Sequence, residues 1–294
     1  MQRPASLAGV RPTVGLFGIN SHACADAGAA ARVAQLAEEL GYDSLWAGEH
    51  VVVPTPCVEP SPMEPDEPIL DPLVALAHLA GHTERIRLAT GLVILPQRNP
   101  LVLAKQVASL DVLTGGRLTL GLGVGYLEPE LRALGVPMAG RGARADEYLA
   151  AMRSLWEDEA PSFSGSHVEF DGLDAHPRPL QRPLPVVIGG HSPAAHRRAA
   201  RHGDGWYGFL VGLRAMAEQR ESLRRAVEEA GRERPLHIAV SPARPLDQAV
   251  VDAYAELGVE RLIVVPRPGL SLDELLAFVE RNAPAAVGAA PSAG

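Results

Sequence analysis

The sequence is almost without lysine. Lys105 is one of 27 basic residues, and the other 26 are arginine. No GxxxxGK[ST] run exists, which excludes P-loop phosphate chemistry. A Schiff-base enzyme would have to use Lys105 itself. Cysteine is nearly as scarce: Cys24 and Cys57 make no disulfide framework and read as free thiols. No apolar run approaches the roughly 20 residues of a membrane helix. The start, MQRPASLAGVRPTVGLFG, lacks the apolar stretch of a secretory leader, so a cytoplasmic protein is expected. Basic charge is also short, with 27 Lys plus Arg against 35 Asp plus Glu and a net charge of −8. That balance argues against nonspecific nucleic-acid binding, which needs a basic face. The arginine bias, with abundant Ala, Gly and Pro, matches the codon usage of a GC-rich genome.

What is present is one alternation, repeated. Short apolar runs at 14–17, 44–48, 87–94, 117–124, 185–190, 205–209, 237–241 and 261–265 read as buried strands. Helical spacing follows each: 26–40, from Asp71-Pro72, from Asn99-Pro100, 143–157, from Ser192-Pro193, 213–230, 246–257, and from the capping box Ser271–Glu274. The proline-rich stretch near 54–70 is a loop. Residues 160–184 form an insertion between helix four and strand five, with a short hairpin around 163–170. Both are expected to shape the pocket. The last residues, 284–294, read as a disordered tail after a single domain at 1–283. Strands that are apolar throughout are buried on both faces, hence parallel. Eight such units spell a (β/α)8 TIM barrel, which puts the chemistry at the strand C-termini; an open doubly wound sheet is the rival.

At those ends, Glu49-His50 is the acid–base candidate, because histidine titrates near neutrality and a carboxylate can tune it. Neighbours on a strand point to opposite faces, so one of the two points inward unless the strand has ended. Gly189-Gly190-His191-Ser192 precedes a helix N-terminus, where free N–H groups suit an anion or the glycines simply serve a tight turn. Gly121-Leu-Gly123-Val-Gly125-Tyr126 lacks the dinucleotide spacing; glycines inside a strand mark the close approach of a flat ligand or of backbone. His78 and His82 stand at i, i+4 without a third ligand, and His167 and His176 have no metal spacing, so no metal is expected.

In this order and spacing, LWAGEHVVVP (45–54), TERIRLATGLVILPQRNPLVLAKQVASLDVLTGGRLTLGLGVGY (83–126), ELRALGVP (130–137), RGARADEYLAAMRSLW (141–156), PRPLQRPLPVVIGG (177–190) and RRAARHGDGW (197–206) resemble the luciferase-like flavin and deazaflavin oxidoreductases, in particular the F420-dependent branch. The resemblance spans roughly 12–265. It implies an isoalloxazine-like ring at the strand ends, with coenzyme F420 as cofactor and FMN as the alternative. His50 would exchange a proton, and Glu49 stands where Asp is commoner. A cis bond would fall at Gly91-Leu92, beside Thr90. Gly123 and Gly125 would face the ring, next to Tyr126, and Gly190, His191 and Ser192, following Gly189, would meet its phosphate or ribityl chain. Tyr126 occupies the place of the glutamate of the family's sugar-phosphate dehydrogenases, which speaks against such a substrate. An acidic cofactor tail would need arginines, with Arg98, Arg141 and Arg144 as candidates. A small organic substrate and a homodimer complete the expectation. The reactions that follow are F420-dependent hydride transfer or, as the alternative, FMN-dependent monooxygenation.

Overall fold

The computed structural model describes residues 11–292. Eight parallel strands close into a barrel: Thr13–Phe17, Ser44–Ala47, Arg87–Thr90, Leu118–Gly123, Val186–Gly189, Gly205–Val211, His237–Pro242 and Arg261–Val264. Strand one pairs with both strand two and strand eight, and strand three pairs with strand four through Leu88↔Leu118 and Ala89↔Thr119, which closes the ring. Strand three resumes as Val93–Ile94 after a cis Gly91–Leu92 peptide, at the position the family resemblance implied.

Several helix starts follow from a local side-chain cap. Asp26 accepts from Ala29 N at 2.8 Å and opens α1 (Ala27–Glu39). Asp71 opens α2 (Pro72–Ala80) and Asn99 opens α3 (Pro100–Leu113), each with proline at the first turn, where a missing N–H costs nothing. Ser271 and Glu274 form the full capping box of a later helix, Leu272–Arg281. Between α3 and the next long helix lies one that the hydrophobic pattern did not announce, α4 (Glu128–Ala133); then come α5 (Arg141–Glu157) and α6 (Pro193–His202).

The barrel interior below the strand ends holds Trp46, Ala89, Val187, Tyr207, Ala239 and Ile263. Two bulky rings, 5.1 Å apart, lie among small or branched partners, the mix of sizes that fills a tapering barrel. Each fully buried large side chain of this kind contributes about 1.5–3 kcal/mol. Among the described residues no helix is long and apolar enough to cross a membrane.

Two expectations change. The end of the chain is ordered through residue 292: Pro284–Val287 is a helical turn, Val287 and Ala289 are buried, and Ala290 bridges to Thr13. Its small residues show no helical or strand period, but Val287 and Ala289 pack into the hydrophobic core. The insertion forms its hairpin, Phe163–Ser164 with Glu169–Phe170, yet none of its residues lines the cavity at the strand ends. It is fastened to α5 by Glu147, which accepts from the N–H groups of Ser166, His167 and Val168, and to α3 by Lys105, whose ammonium donates to the His176 carbonyl.

Candidate active site

A cavity of about 590 Å³ opens at the C-terminal ends of the strands. Its size and apolar lining fall in the range of small-molecule and cofactor sites. Phe17, Leu92, Ile94 and Phe209 supply apolar walls, and His22, His50, Tyr126 and Arg267 supply polar groups. The 54–70 loop contributes Pro62, Met63 and Ile69, as expected of it; the 160–184 insertion contributes no lining residue.

His50 is held from behind. Its Nδ1 lies 2.9 Å from Glu130 Oε2, and the other oxygen of Glu130 accepts from Val51 N at 2.6 Å. Glu130 is 1% exposed. A carboxylate only accepts, so Nδ1 donates to it and Nε2 is left for the cavity. Tyr126 stands edge-on to this ring with centroids 6.0 Å apart. Burial, with the Glu130 charge nearby, raises the Tyr126 phenol above its ordinary value, so it stays protonated.

Glu49 goes the other way. It is 6% exposed, and its carboxylate accepts from Ile94 N at 2.6 Å and from Arg98 Nε at 2.8 Å. Arg98 also donates to Asp71, the α2 cap, at 2.7 Å. Burial raises Glu49 against the pull of Arg98, whereas the Arg98 hydrogen bond and the α2 N–H groups outweigh burial at Asp71 and hold it low. Glu49 therefore ties the end of strand two to the loop after strand three. The carboxylate beside His50 is Glu130, eighty residues further along.

Asn20 completes the support. Fully buried, it donates to Gly48 O and Leu70 O at 2.8 and 2.6 Å and accepts from Gly48 N at 3.1 Å, which fixes the turn that aims Glu49 and His50 apart.

The strand glycines make room mainly for protein. A Cβ on Gly121 would fall 2.0 Å from Thr90 O, and one on Gly189 would fall 1.9 Å from Leu92 Cδ1. Leu92 is thus the body packed against strands four and five. Thr90 is fully buried; its Oγ1 donates to Gly121 O at 2.7 Å and accepts from Gly121 N at 2.8 Å, replacing ladder bonds where strand three is interrupted. Gly91, Leu92, Gly123, Gly125 and Tyr126 line the cavity; Thr90, Gly189, Gly190, His191 and Ser192 do not. Gly190 adopts φ +118°, a turn that suits glycine, and Ser192 caps α6 by accepting from Ala195 N at 3.2 Å. The candidate tail arginines are also placed elsewhere. Arg98 is spent on Glu49 and Asp71, Arg141 donates to the carbonyls of Gly125 and Met138, and none of the three lines the cavity. Among the described residues no cluster could hold a metal ion.

The family described as luciferase-like monooxygenase matches residues 12–263. The chain belongs to that family. An uncharacterized protein of Mycobacterium tuberculosis is 33% identical over 262 residues, 86% of this chain and 92% of that protein. The FMNH(2)-dependent dimethylsulfone monooxygenase of Pseudomonas putida is 34% identical over 139 residues, 46% of this chain and 38% of that protein. Among solved structures, an F420-dependent secondary alcohol dehydrogenase in complex with an F420–acetone adduct superposes with TM-score 0.74 at 16% identity, covering 94% of this chain and 99% of that one. The monooxygenase RslO1 from Streptomyces bottropensis gives 0.72 at 23%, covering 93% and 99%. Luciferase-like enzymes related to this chain thus include both F420- and flavin-dependent members, and the fold they share is the barrel described above.

Proposed function

We propose that this luciferase-like enzyme passes hydride between coenzyme F420 and a small organic substrate, with His50 moving the accompanying proton. The observation that carries the reading is the His50–Glu130 pair at the rim of an apolar cavity. When bound, the deazaflavin would supply the hydride chemistry. The cavity suits a flat ring system: Leu92 and Ile94 offer an apolar face, and Gly123 and Gly125 bring backbone to its edge. Hydride arriving at a carbonyl carbon requires a proton at its oxygen, and hydride leaving an alcohol carbon requires the hydroxyl to give one up. His50 Nε2 gives or takes it, while Glu130 holds the ring and its tautomer. Phe17, Phe209 and Leu210 exclude water from one side. Gly190, His191 and Ser192 remain the positions proposed for the cofactor's phosphate or ribityl chain.

The second reading, an FMN-dependent monooxygenase on the same barrel, is favoured by the similarity to the Pseudomonas putida enzyme. Titration of the purified protein separates the two. The first reading expects F420 fluorescence to change saturably at micromolar concentration while FMN binds at least tenfold more weakly. The reverse order replaces it with the second, and the absence of both refutes the cofactor site. A homodimer belongs to the same proposal, since α2 and α3 leave Val74, Val102 and Leu113 exposed; light scattering that gives a monomer mass refutes it.

A further inference from the structure

A second cavity, of about 680 Å³, lies beside the first, between the loops that follow strands seven and eight and the helix Leu272–Arg281. The two share Leu210, Val265, Arg267 and Leu270 in their walls, so they adjoin. The chain carries a net charge of −8, yet this cavity is lined by three arginines, Arg244, Arg267 and Arg281, and one carboxylate, Glu274. Glu274 is already engaged: Oε2 accepts from Ser271 N and Oγ at 2.9 Å, and Oε1 lies 3.4 Å from Arg267 Nη2. Arg244 and Arg281 make no hydrogen bond or ion pair among the described residues. Leu210, half exposed, has left-handed backbone at φ +52°, which only a few per cent of non-glycine residues adopt, and it stands in the wall between the two cavities. Arg244 and Arg281, two guanidinium groups without a protein partner in the wall of one cavity, with Arg267 paired only at 3.4 Å, suit a phosphate or a carboxylate. The loops after strands seven and eight are also where barrels of this architecture commonly hold an anion.

We propose that Arg244, Arg267 and Arg281 bind the anionic end of the organic substrate, a phosphate or carboxylate group, while its reacting carbon lies in the first cavity before His50. The location rests on the proposed redox reading; the anion site itself does not. Inorganic phosphate titrated into the cofactor-free protein by calorimetry is expected to bind saturably, and more weakly as salt is raised. The double variant Arg244→Ala/Arg281→Ala should weaken it about tenfold or more, and Arg244→Lys/Arg281→Lys should recover part of the loss. Both side chains are exposed, so an unchanged melting temperature is the control for folding. Titration with F420 and with its tail-less deazaflavin ring should give the same affinities in wild type and double variant. Equal phosphate binding in wild type and double variant overturns the proposal. So does a loss that falls on F420 but not on the tail-less ring, because the arginines would then serve the cofactor's tail. If wild type binds phosphate but neither F420 nor FMN, the anion site stands and the redox reading falls.

Discussion

Replacing Glu130 with glutamine tests the central geometry with one atom. Wild-type Glu130 presents one oxygen to Val51 N at 2.6 Å and the other to His50 Nδ1 at 2.9 Å. A glutamine has one oxygen. Turned with its NH2 toward Val51 it would set donor against donor, so its oxygen must take the Val51 N–H and its NH2 must face Nδ1. The ring then has to accept at Nδ1 and carry its proton on Nε2, which inverts the tautomer. Both hydrogen-bond positions stay filled, so the stability change should remain within about 1.5 kcal/mol. The neutral His50 can no longer accept a proton from substrate at Nε2. General acid–base contributions of this kind are worth about 10²–10⁴ in rate, or about 3–5 kcal/mol of barrier. Imidazole 15N chemical shifts report the tautomer directly and need no substrate, with His50→Ala providing the assignment. Wild type should show a protonated Nδ1 in the neutral ring, and Glu130→Gln a protonated Nε2. A wild-type ring already protonated on Nε2, or a variant with full turnover, would refute the reasoning.

Thr90→Val removes the two hydrogen bonds to Gly121 and leaves a buried N–H and carbonyl unpaired, so urea unfolding should report a loss of about 2–4 kcal/mol. Gly189→Ala drives a methyl into Leu92 and should push that side chain into the cavity, costing about 1–3 kcal/mol and at least tenfold in ring affinity. Adding Leu92→Ala should return part of the stability; strictly additive costs would show that the two residues do not meet. Glu38 accepts from the backbone N–H groups of Glu84, Arg85 and Ile86; burial opposes, but these bonds hold its carboxyl below the ordinary range. Its contribution is therefore complete above the unfolded value near pH ~4.3 and is lost as pH falls through the lower folded one. Glu38→Gln should cost about 1 kcal/mol at pH 7, after discounting for partial exposure, and nothing once the wild-type carboxyl is itself protonated. A stability difference that persists to pH 2 would contradict this assignment.

The barrel was legible because its signal is redundant. Eight apolar runs, each followed by a helix and most of those helices opened by a side-chain cap, agree with one another, and an error of two residues at any boundary, as at strand six, leaves the architecture unchanged. Asp71-Pro72, Asn99-Pro100 and Ser271–Glu274 were readable to the residue, since a cap is a contact between neighbours in sequence. The end of the chain was misread for the opposite reason. Its order depends on Ala290 meeting Thr13, a contact across almost the full length that no local composition reports. The strand glycines were ambiguous in the same way. Whether a missing Cβ admits a ligand or another part of the chain depends on the partner strand, and here Leu92 and the Thr90 carbonyl take the space at Gly189 and Gly121.

The site divides along the same line. His50 could be found because it sits at a strand end, while its partner could not be assigned from adjacency. Next to it in sequence is Glu49, but neighbours at a strand's end point apart, and Glu49 turns into the protein to meet Arg98. The sequence did hold a usable signal for Glu130. Glu128 and Glu130 follow the strand-four glycines, and two positions on a helix lie about 200° apart, so only one of them can face inward. Glu128 has Arg132 four residues on, the spacing of a solvent-side pair, and the two do approach at 3.7 Å with both side chains exposed. Glu130 must then face the barrel, beside the buried Leu131. An inward carboxylate on the loop after strand four, with no lysine near the barrel mouth to neutralise it, needs a histidine or a backbone N–H. The end of strand two offers both, at His50 and Val51.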